Sequence, residues 1–550
     1  MSKFKAIINS KYILHGPGPE PAVPLSKDTV GQFIHKILLS APKNATAMID
    51  ALTNQSLKYS ELLQKSINLA QALRHHGYNN PKTVLAIQSE NSVNYFVPIL
   101  ASLFNSSIIA PLSHLYKSNE LKHALQISQP KLLFCSEDCA QKIADLKDLK
   151  LEKILVMSKT SGLAMQSMDS FIQEALNGKD QNIHEFQSEF GISSELIAFI
   201  LCSSGTTGLP KGVTLSHLNV MTRLAQQKDP RYYSQNPDHK VLGLPPFFHA
   251  YGLSFILGCI ANLQTIICLK KFEEDLYLKT IEDYKIDIVP LIPPLANFLA
   301  QSDKVLKYYL SSVSDIICAA APLSLETERN LKIRLNCKYL RNCLGMTETT
   351  SAVTFIQFGE DRKGSCGKLV PFVSGKVIDP SSLLALGPNK IGELCFKGPL
   401  VMRGYYKNPE ATKNSFTEDG WLKSGDLGYY DEEGFFYVVD RLKEVIKYKG
   451  YQVAPAELEA ILINHPKIAD AGVVGVPDKV AGEVPLAFVV RKAETHVGEE
   501  EIIKYVADKV SPQKRLRGGV IFVESIPKNP SGKILRRKLR NALETLKSKL

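Results

Sequence analysis

The feature that most constrains this chain is an alternation. From about Thr46 to Asn389, short runs rich in β-branched and other apolar residues take turns with amphipathic helical patterns. That is the signature of βα units feeding a largely parallel sheet. The stretch "TIICLKKFEEDLYLKTIEDYKIDIVPLIPP" from Thr265 shows one such unit. Residues 265–269 read as a buried strand, Tyr277, Ile281 and Tyr284 recur at helical spacing, and 286–289 read as the next strand before a proline stop. After Gly364 the texture changes to short runs separated by glycine and proline ("GKVIDP", "GELCFKGP", "GWLKSGDLGYYDEEGFFYVVD"), which predicts a smaller antiparallel β region over about 364–440. Beyond Asp440 lies a further block of about 110 residues, itself domain-sized, ending in the basic helical pattern "GKILRRKLRNALETLKSKL". No internal repeat or low-complexity tract interrupts this order.

Composition narrows the class. With 550 residues, 44% hydrophobic and 22% charged, the chain is long enough for several cores and too mixed for disorder. No secretory signal opens it, and the longest apolar patches, such as "FILGCIANLQTIICL", carry Asn262 and Gln264 and fall short of the roughly 20 residues a span needs. No transmembrane segment is expected. The ten cysteines lack paired metal-ligand spacing, which reads as buried thiols in a reducing compartment. A net charge of +11 suits anionic small molecules as well as nucleic acid. The single tryptophan and the lack of an aromatic-rich RNA-binding signature argue against nucleic acid.

The stretch "LCSSGTTGLPKGVTLSHLN" from Leu201 carries the most local chemistry. It follows an apolar, strand-like run, 196–202, and offers glycine backbone N–H groups, hydroxyls and Lys211, the donors that bind phosphate. The spacing is not that of a Walker loop. "GVTL" reads as a return strand, and Ser216 as the N-cap of the helical pattern "HLNVMTRLAQQ". A hairpin loop closing over phosphates and a solvated turn both fit these residues alone.

Four further motifs accompany this one in order: "GMTETTSAV" from Gly345, "GELCFKGPLVMRGYYKNPEAT" from Gly392, "GWLKSGDLGYYDEEGFFYVVDRLKEVIKYKGYQVAPAELE" from Gly420 and "PKNPSGKILRRKL" from Pro527. Together they resemble the adenylate-forming superfamily over nearly the whole chain, most closely the branch of 4-coumarate:CoA ligases, fatty acyl-CoA synthetases and beetle luciferases. The resemblance implies an α/β fold. A large N-terminal domain, 1–440, would hold two βα subdomains and a small β-barrel-like one. A smaller, mobile α+β lid domain, 441–550, would follow.

It also implies a reaction in two halves, in which a carboxylic acid and ATP give an acyl adenylate and pyrophosphate, and the thiol of CoA then takes the acyl group. Ser203, Ser204, Gly205, Thr206, Thr207 and Lys211 would hold the β- and γ-phosphates. Thr347 would touch the α-phosphate, and Glu348 would hold Mg²⁺, a hard cation that prefers oxygen ligands. Asp426 would accept from the ribose hydroxyls, with Arg441 beside it. Ala320, Ala321, Pro322, Asn342, Cys343 and Leu344 would line the adenine side. Lys533 would serve the adenylation step as a flexible point charge. Lys447 would serve the thioester step after rotation about Lys443, with Lys449 and Gly450 lining the thiol entrance and Lys271 meeting the CoA nucleotide. Arg223, His249, Tyr251 and Ser351 would border the acyl pocket.

Two stretches depart from the family pattern. The usual Gln-Gly-Tyr reads Asn342, Cys343, Leu344, which removes an aromatic face for adenine; the usual Ser-Gly-Gly/Ala-Ala-Pro reads Cys318, Ala319, Ala320, Ala321, Pro322, whose extra methyl groups narrow the site. Ser548, Lys549 and Leu550 spell a peroxisomal address, so a peroxisomal import receptor is an expected partner. The expected activity is an acyl-CoA synthetase for a hydrophobic acid. A luciferase-type monooxygenase, in which the adenylate meets O₂ and light is emitted, is the alternative, and a non-catalytic adenylate-binding protein is a third possibility.

Overall fold

A computed structural model describes residues 11–18, 27–144, 150–158, 165–203, 210–321, 323–449, 451–478, 480–529 and 532–547. Residues Ser204, Gly205, Thr206, Thr207, Pro322 and Gly450, and the tripeptide 548–550, lie outside them.

Among the described residues the strands form four sheets. One begins with the short strand Gly404–Tyr405 and the hairpin Lys211–Ser216 and Ile197–Ser203. It runs on through Ile108–Leu112, Val84–Gln88 and Leu132–Cys135, which pair in parallel. A second carries Asp315–Cys318 between Ile288–Leu291 and Tyr339–Met346, all parallel, and reaches Thr46–Asp50 through Lys240–Gly243 and Thr265–Cys268. Their strands are buried along most of their length, as parallel strands covered on both faces must be. The third sheet is antiparallel, Ser374–Ile378, Gly392–Lys397, Leu422–Tyr430 and Phe436–Arg441, with Leu14–His15 added at its edge. The fourth lies wholly beyond residue 445, where Ile468–Asp478 and Gly482–Arg491 pair around a core including Leu458, Val473 and Phe488.

The α/β architecture with a β-rich third module and a smaller C-terminal unit is the one the sequence predicts. Two details differ. The strand expected at 286–289 is Ile288–Leu291 and contains Pro290. The sheet tolerates that proline because the partner Lys240–Gly243 pairs only at Ile288, while Asp315–Cys318 pairs along the whole strand on the other side. The β-rich module also recruits residues 14–15, from the opposite end of the chain.

Local signals position the site. Ser216 caps the helix His217–Gln227 by accepting from Asn219 N (3.2 Å), and the Asn219 carboxamide returns a bond from Ser216 N (2.7 Å). The same carboxamide donates to the carbonyls of Pro399 and Val401, tying this helix to the third module. The C-terminal unit docks through Gly532, at φ +80°, where a Cβ would stand 2.8 Å from Ile292 Cδ1. Only glycine gives both this left-handed turn and this approach.

Candidate active site

The strand Ile197–Ser203 ends at a buried hydroxyl, Ser203 Oγ, that has no hydrogen-bond partner among the described residues. The return strand starts at Lys211, whose ammonium lies 4.9 Å from the centre of the Tyr405 ring. The Tyr405 hydroxyl donates to Glu348 Oε1 (2.9 Å), so a cation, a phenol and a carboxylate gather at the mouth of the loop. Tyr405 was not singled out from the sequence, although it stands inside a quoted motif; its role depends on the third module meeting the hairpin, where Tyr405 pairs with Val213.

Glu348 sits in a single 3₁₀ turn, Thr347–Thr349, with Thr347 buried. The turn is clamped by segment 400–402: Met402 N donates to the Glu348 carbonyl (2.8 Å) and the Thr350 hydroxyl to the Leu400 carbonyl (2.7 Å). Thr350 (φ +52°) and Ser351 (φ +99°) both take left-handed backbone, strain that the clamp sustains. A Cβ at Gly345 would fall 2.2 Å from the Ser351 carbonyl oxygen, which explains the glycine of "GMTET".

Asp426 and Arg441 face each other across the paired strands Leu422–Tyr430 and Phe436–Arg441, and Arg441 Nε meets Asp426 Oδ1 at 2.7 Å. Asp426 is 4% exposed; burial raises its pKa against the opposing pull of Arg441 and Lys533. Lys533 enters from the C-terminal unit on a loop closed by Asn529, which accepts Lys533 N (2.8 Å) on its side chain and Gly532 N (2.8 Å) on its carbonyl. Burial, reinforced by Arg441 and opposed by Asp426, lowers the Lys533 pKa to about 8. The structure thus brings Lys533, Asp426 and Arg441 together from two separately folded units.

In the second sheet Cys318 is in register with Asn342, so the two departures from the family pattern are neighbours. Ala320 holds φ +76°, Leu344 is half-buried, and the buried Asn342 Oδ1 has no partner.

Arg223 is 3% exposed on the helix His217–Gln227. Its guanidinium donates to Ser254 Oγ (3.3 Å), Gln226 Oε1 (3.1 Å) and the Tyr233 hydroxyl. With Leu201, Leu215, Ala250, Ser254 and Thr350 it lines a small, mainly apolar cavity. His249 caps the helix Ala250–Ala261, Nδ1 accepting from Tyr251 N (3.3 Å), and burial lowers its pKa to about 4, so it is neutral at pH 7. Tyr251 donates to the Ile317 carbonyl (3.0 Å), and Ser351 is half-buried beside the turn.

The remaining predicted residues stand apart. Lys443, Lys447 and Lys449 are exposed, Lys447 pointing outward between inward-facing Ile446 and Tyr448. Lys271 is 76% exposed and paired with Glu273 (2.6 Å). Among the described residues no group of three or more His, Cys, Asp or Glu could hold a metal, and no helix is long and apolar enough to cross a membrane. All ten cysteines are free.

Comparison with known proteins identifies the family. Residues 39–406 match the model of the AMP-binding enzyme family and 457–533 that of the AMP-binding enzyme C-terminal domain. The luciferin 4-monooxygenase of Photinus pyralis is 42% identical over 532 residues, 96% of each chain. The peroxisomal OPC-8:0-CoA ligase 1 of Arabidopsis thaliana is 38% identical over 526 residues, 95% of this chain and 94% of the relative. ATP-bound MatB from Rhodopseudomonas palustris overlays with a TM-score of 0.81 at 26% identity, covering 93% of this chain and 98% of that one. The apo form of MatB, over the same coverage, overlays at 0.70. The chain therefore belongs to the AMP-binding enzymes of the adenylate-forming superfamily.

Proposed function

We propose that this adenylate-forming enzyme is an ATP-dependent acyl-CoA synthetase acting on a hydrophobic carboxylic acid. The observation that carries the reading is the approach of Lys533, from the C-terminal unit, to the Asp426–Arg441 ion pair; Ser203 Oγ and Asn342 Oδ1, on two of the quoted motifs, are buried without partners among the described residues. A buried acceptor or hydroxyl left unpaired costs about 1–3 kcal/mol, and a nucleotide supplies the missing partners. Phosphate oxygens accept from Ser203 and Lys211; an adenine amino group donates to Asn342.

In the first half-reaction an oxygen of the acid attacks the α-phosphorus of ATP and the bond to pyrophosphate breaks. Lys533 lies against the charge that develops there, and Thr347 beside it, so preorganised donors rather than a nucleophile drive the step. Asp426, held by Arg441, fixes the ribose. Glu348, whose second oxygen is free of Tyr405, is suited to hold Mg²⁺, which when bound neutralises phosphate charge. In the second half-reaction the CoA sulfur attacks the acyl carbon, AMP leaves with the bonding pair, and the thiol proton is released. Lys447 reaches the site for this step when the lid, residues 441–550, turns about Lys443. Lys449, Gly450 and Lys271 then line the path of CoA.

The relatives named luciferin 4-monooxygenase favour a second reading, in which O₂ replaces the thiol and light is emitted. A panel of carboxylic acids scored separately for pyrophosphate, CoA ester and light decides. We expect pyrophosphate and ester without light; light with a luciferin and no ester with any acid would install the second reading. Pyrophosphate release with none of them would leave only adenylate binding. We further propose a peroxisomal location, supported by the peroxisomal Arabidopsis relative, with 548–550 read by the import receptor. A fluorescent fusion with those residues removed should stay diffuse; punctate import without them would refute this.

A further inference from the structure

The hairpin of the candidate phosphate site ends, on its described strands, at one pair: Ser203, last on the outgoing strand, is in register with Lys211, first on the return strand. The helix Ser118–Ser128 lies along this hairpin. Its buried residues Leu121, Ala124 and Leu125 share a core with Ile200 of the outgoing strand, and Tyr116, just before the helix, meets the Cys202 thiol. Ile127 reaches the return strand, where a Cβ at Gly212 would stand 2.6 Å from Ile127 Cγ2. One turn earlier on the same stripe of the helix, His123 donates Nε2–H to the carbonyl of Pro210 (3.1 Å).

Pro210 immediately precedes Lys211. Its ring holds φ at about −65° and it has no N–H, so its carbonyl is the one backbone hydrogen-bonding group it can offer. With φ held by the ring, a bond that fixes the carbonyl fixes ψ as well, and ψ at 210 sets the direction in which Lys211 leaves. From Gly212 onward the return strand is held on both edges: it pairs with Ile197–Ser203 on one side, while on the other the Gly212 carbonyl accepts from Tyr406 N (2.7 Å) and Val213 pairs with Tyr405. Lys211 stands just before that doubly held stretch, and His123 anchors the backbone on its other side.

We propose that His123 is a positioning residue for the triphosphate of ATP: by holding the Pro210 carbonyl it sets the spread of the Ser203–Lys211 pair that receives the β- and γ-phosphates. The inference rests on the ATP-binding reading above. His123 touches no phosphate; it acts through Pro210. An imidazole can offer an N–H to a carbonyl oxygen whether neutral or protonated, so the anchor does not depend on its charge. AMP carries only the α-phosphate, which falls to Thr347, so the anchor matters for ATP and not for AMP.

Calorimetry on the full-length protein, with ATP and Mg²⁺ and separately with AMP, is the test. His123→Phe keeps a planar ring without the donor. It should raise the dissociation constant for ATP about fivefold, the scale of one lost neutral hydrogen bond, and change that for AMP by less than about twofold. His123→Gln, whose terminal amide carries an N–H to a similar depth, should restore ATP binding. His123→Leu takes the place of the phenylalanine variant if that one does not fold. Unchanged ATP binding without the donor, equal weakening of ATP and AMP, or no restoration by glutamine would each overturn the role of His123 alone. A wild type that binds neither nucleotide would overturn the ATP-binding reading and this proposal with it.

Discussion

On the side of the proposed lid, Lys533 stands near the Asp426–Arg441 ion pair, on a loop whose Gly532 turns at φ +80° against Ile292. On the proposed adenine side, Ala320 stands at φ +76° and Leu344 offers an aliphatic edge in place of the aromatic ring that the family resemblance leads one to expect. The first wall is charged, reciprocally bonded and faithful to its motif. The second is strained, leaves Asn342 Oδ1 unpaired and departs from its motif. Charge placed where phosphate charge develops has no substitute, whereas apolar cover for a base is a graded quantity. The lid wall should therefore fail outright when altered, and the adenine wall should admit improvement.

The largest effect tests the lid wall. Lys533→Ala should lower acyl-adenylate formation by about 10²–10³-fold, the scale of losing one preorganised charge-stabilising donor, yet leave thioester formation from a supplied acyl adenylate within a few-fold of wild type. Lys447→Ala, at the exposed position of the strand Ile446–Tyr448, should do the reverse. Measuring the two half-reactions separately decides, and equal loss of both steps in either variant would contradict a lid that presents two faces in turn.

The next effect is a pH limb. A lysine whose pKa lies near 8 is cationic below that value and loses its charge above it. Because kcat/KM reports the free enzyme, kcat/KM for ATP in the adenylation step should fall about tenfold per pH unit above 8. In Lys533→Arg, whose guanidinium does not titrate in this range, the limb should vanish even if the plateau drops. A limb that persists in the arginine variant would assign the titration to another group.

How far each wall could be read in advance follows from the range of the interactions that build it. The hairpin ending at Ser216 and the helix it caps are set by near neighbours, so the hydroxyl, the alternation and the helical spacing sufficed. The approach of Lys533 to the Asp426–Arg441 pair joins residues from two folding units; no periodicity reports such proximity, and only the family resemblance pointed to it. Tyr405 escaped notice because its partner Glu348 is distant in sequence and its hydroxyl has no signature of its own. The strand Leu14–His15 is too short for a pattern and exists only because Ser374 and Gly375 offer it an edge. The strain at Ala320 was visible only as an unusual methyl group, since composition does not report φ.

On the adenine wall, Leu344→Tyr should strengthen ATP binding. A base stacked on an aromatic ring gains roughly 1–3 kcal/mol over a truncated side chain, and leucine already supplies part of that as apolar contact. The expected gain is about fivefold in the dissociation constant for ATP, read by calorimetry. No gain, or a loss, would mean that the half-buried site at 344 has no room for the ring and that the departure is fitted to its surroundings.

The smallest effect concerns Ala320. A non-glycine residue at φ +76° carries a backbone penalty of about 1–2 kcal/mol, and glycine removes it. Glycine also enlarges the entropy of the unfolded chain, which returns about 0.4–1 kcal/mol. The balance favours Ala320→Gly by about 0.5–1 kcal/mol, seen as a higher denaturant midpoint for the N-terminal module, with ATP affinity unchanged or improved as the lost methyl widens the site. A lower midpoint would show that the methyl group contributes more by packing than it costs in strain, and the adenine wall would then be as closely fitted as the lid wall it faces.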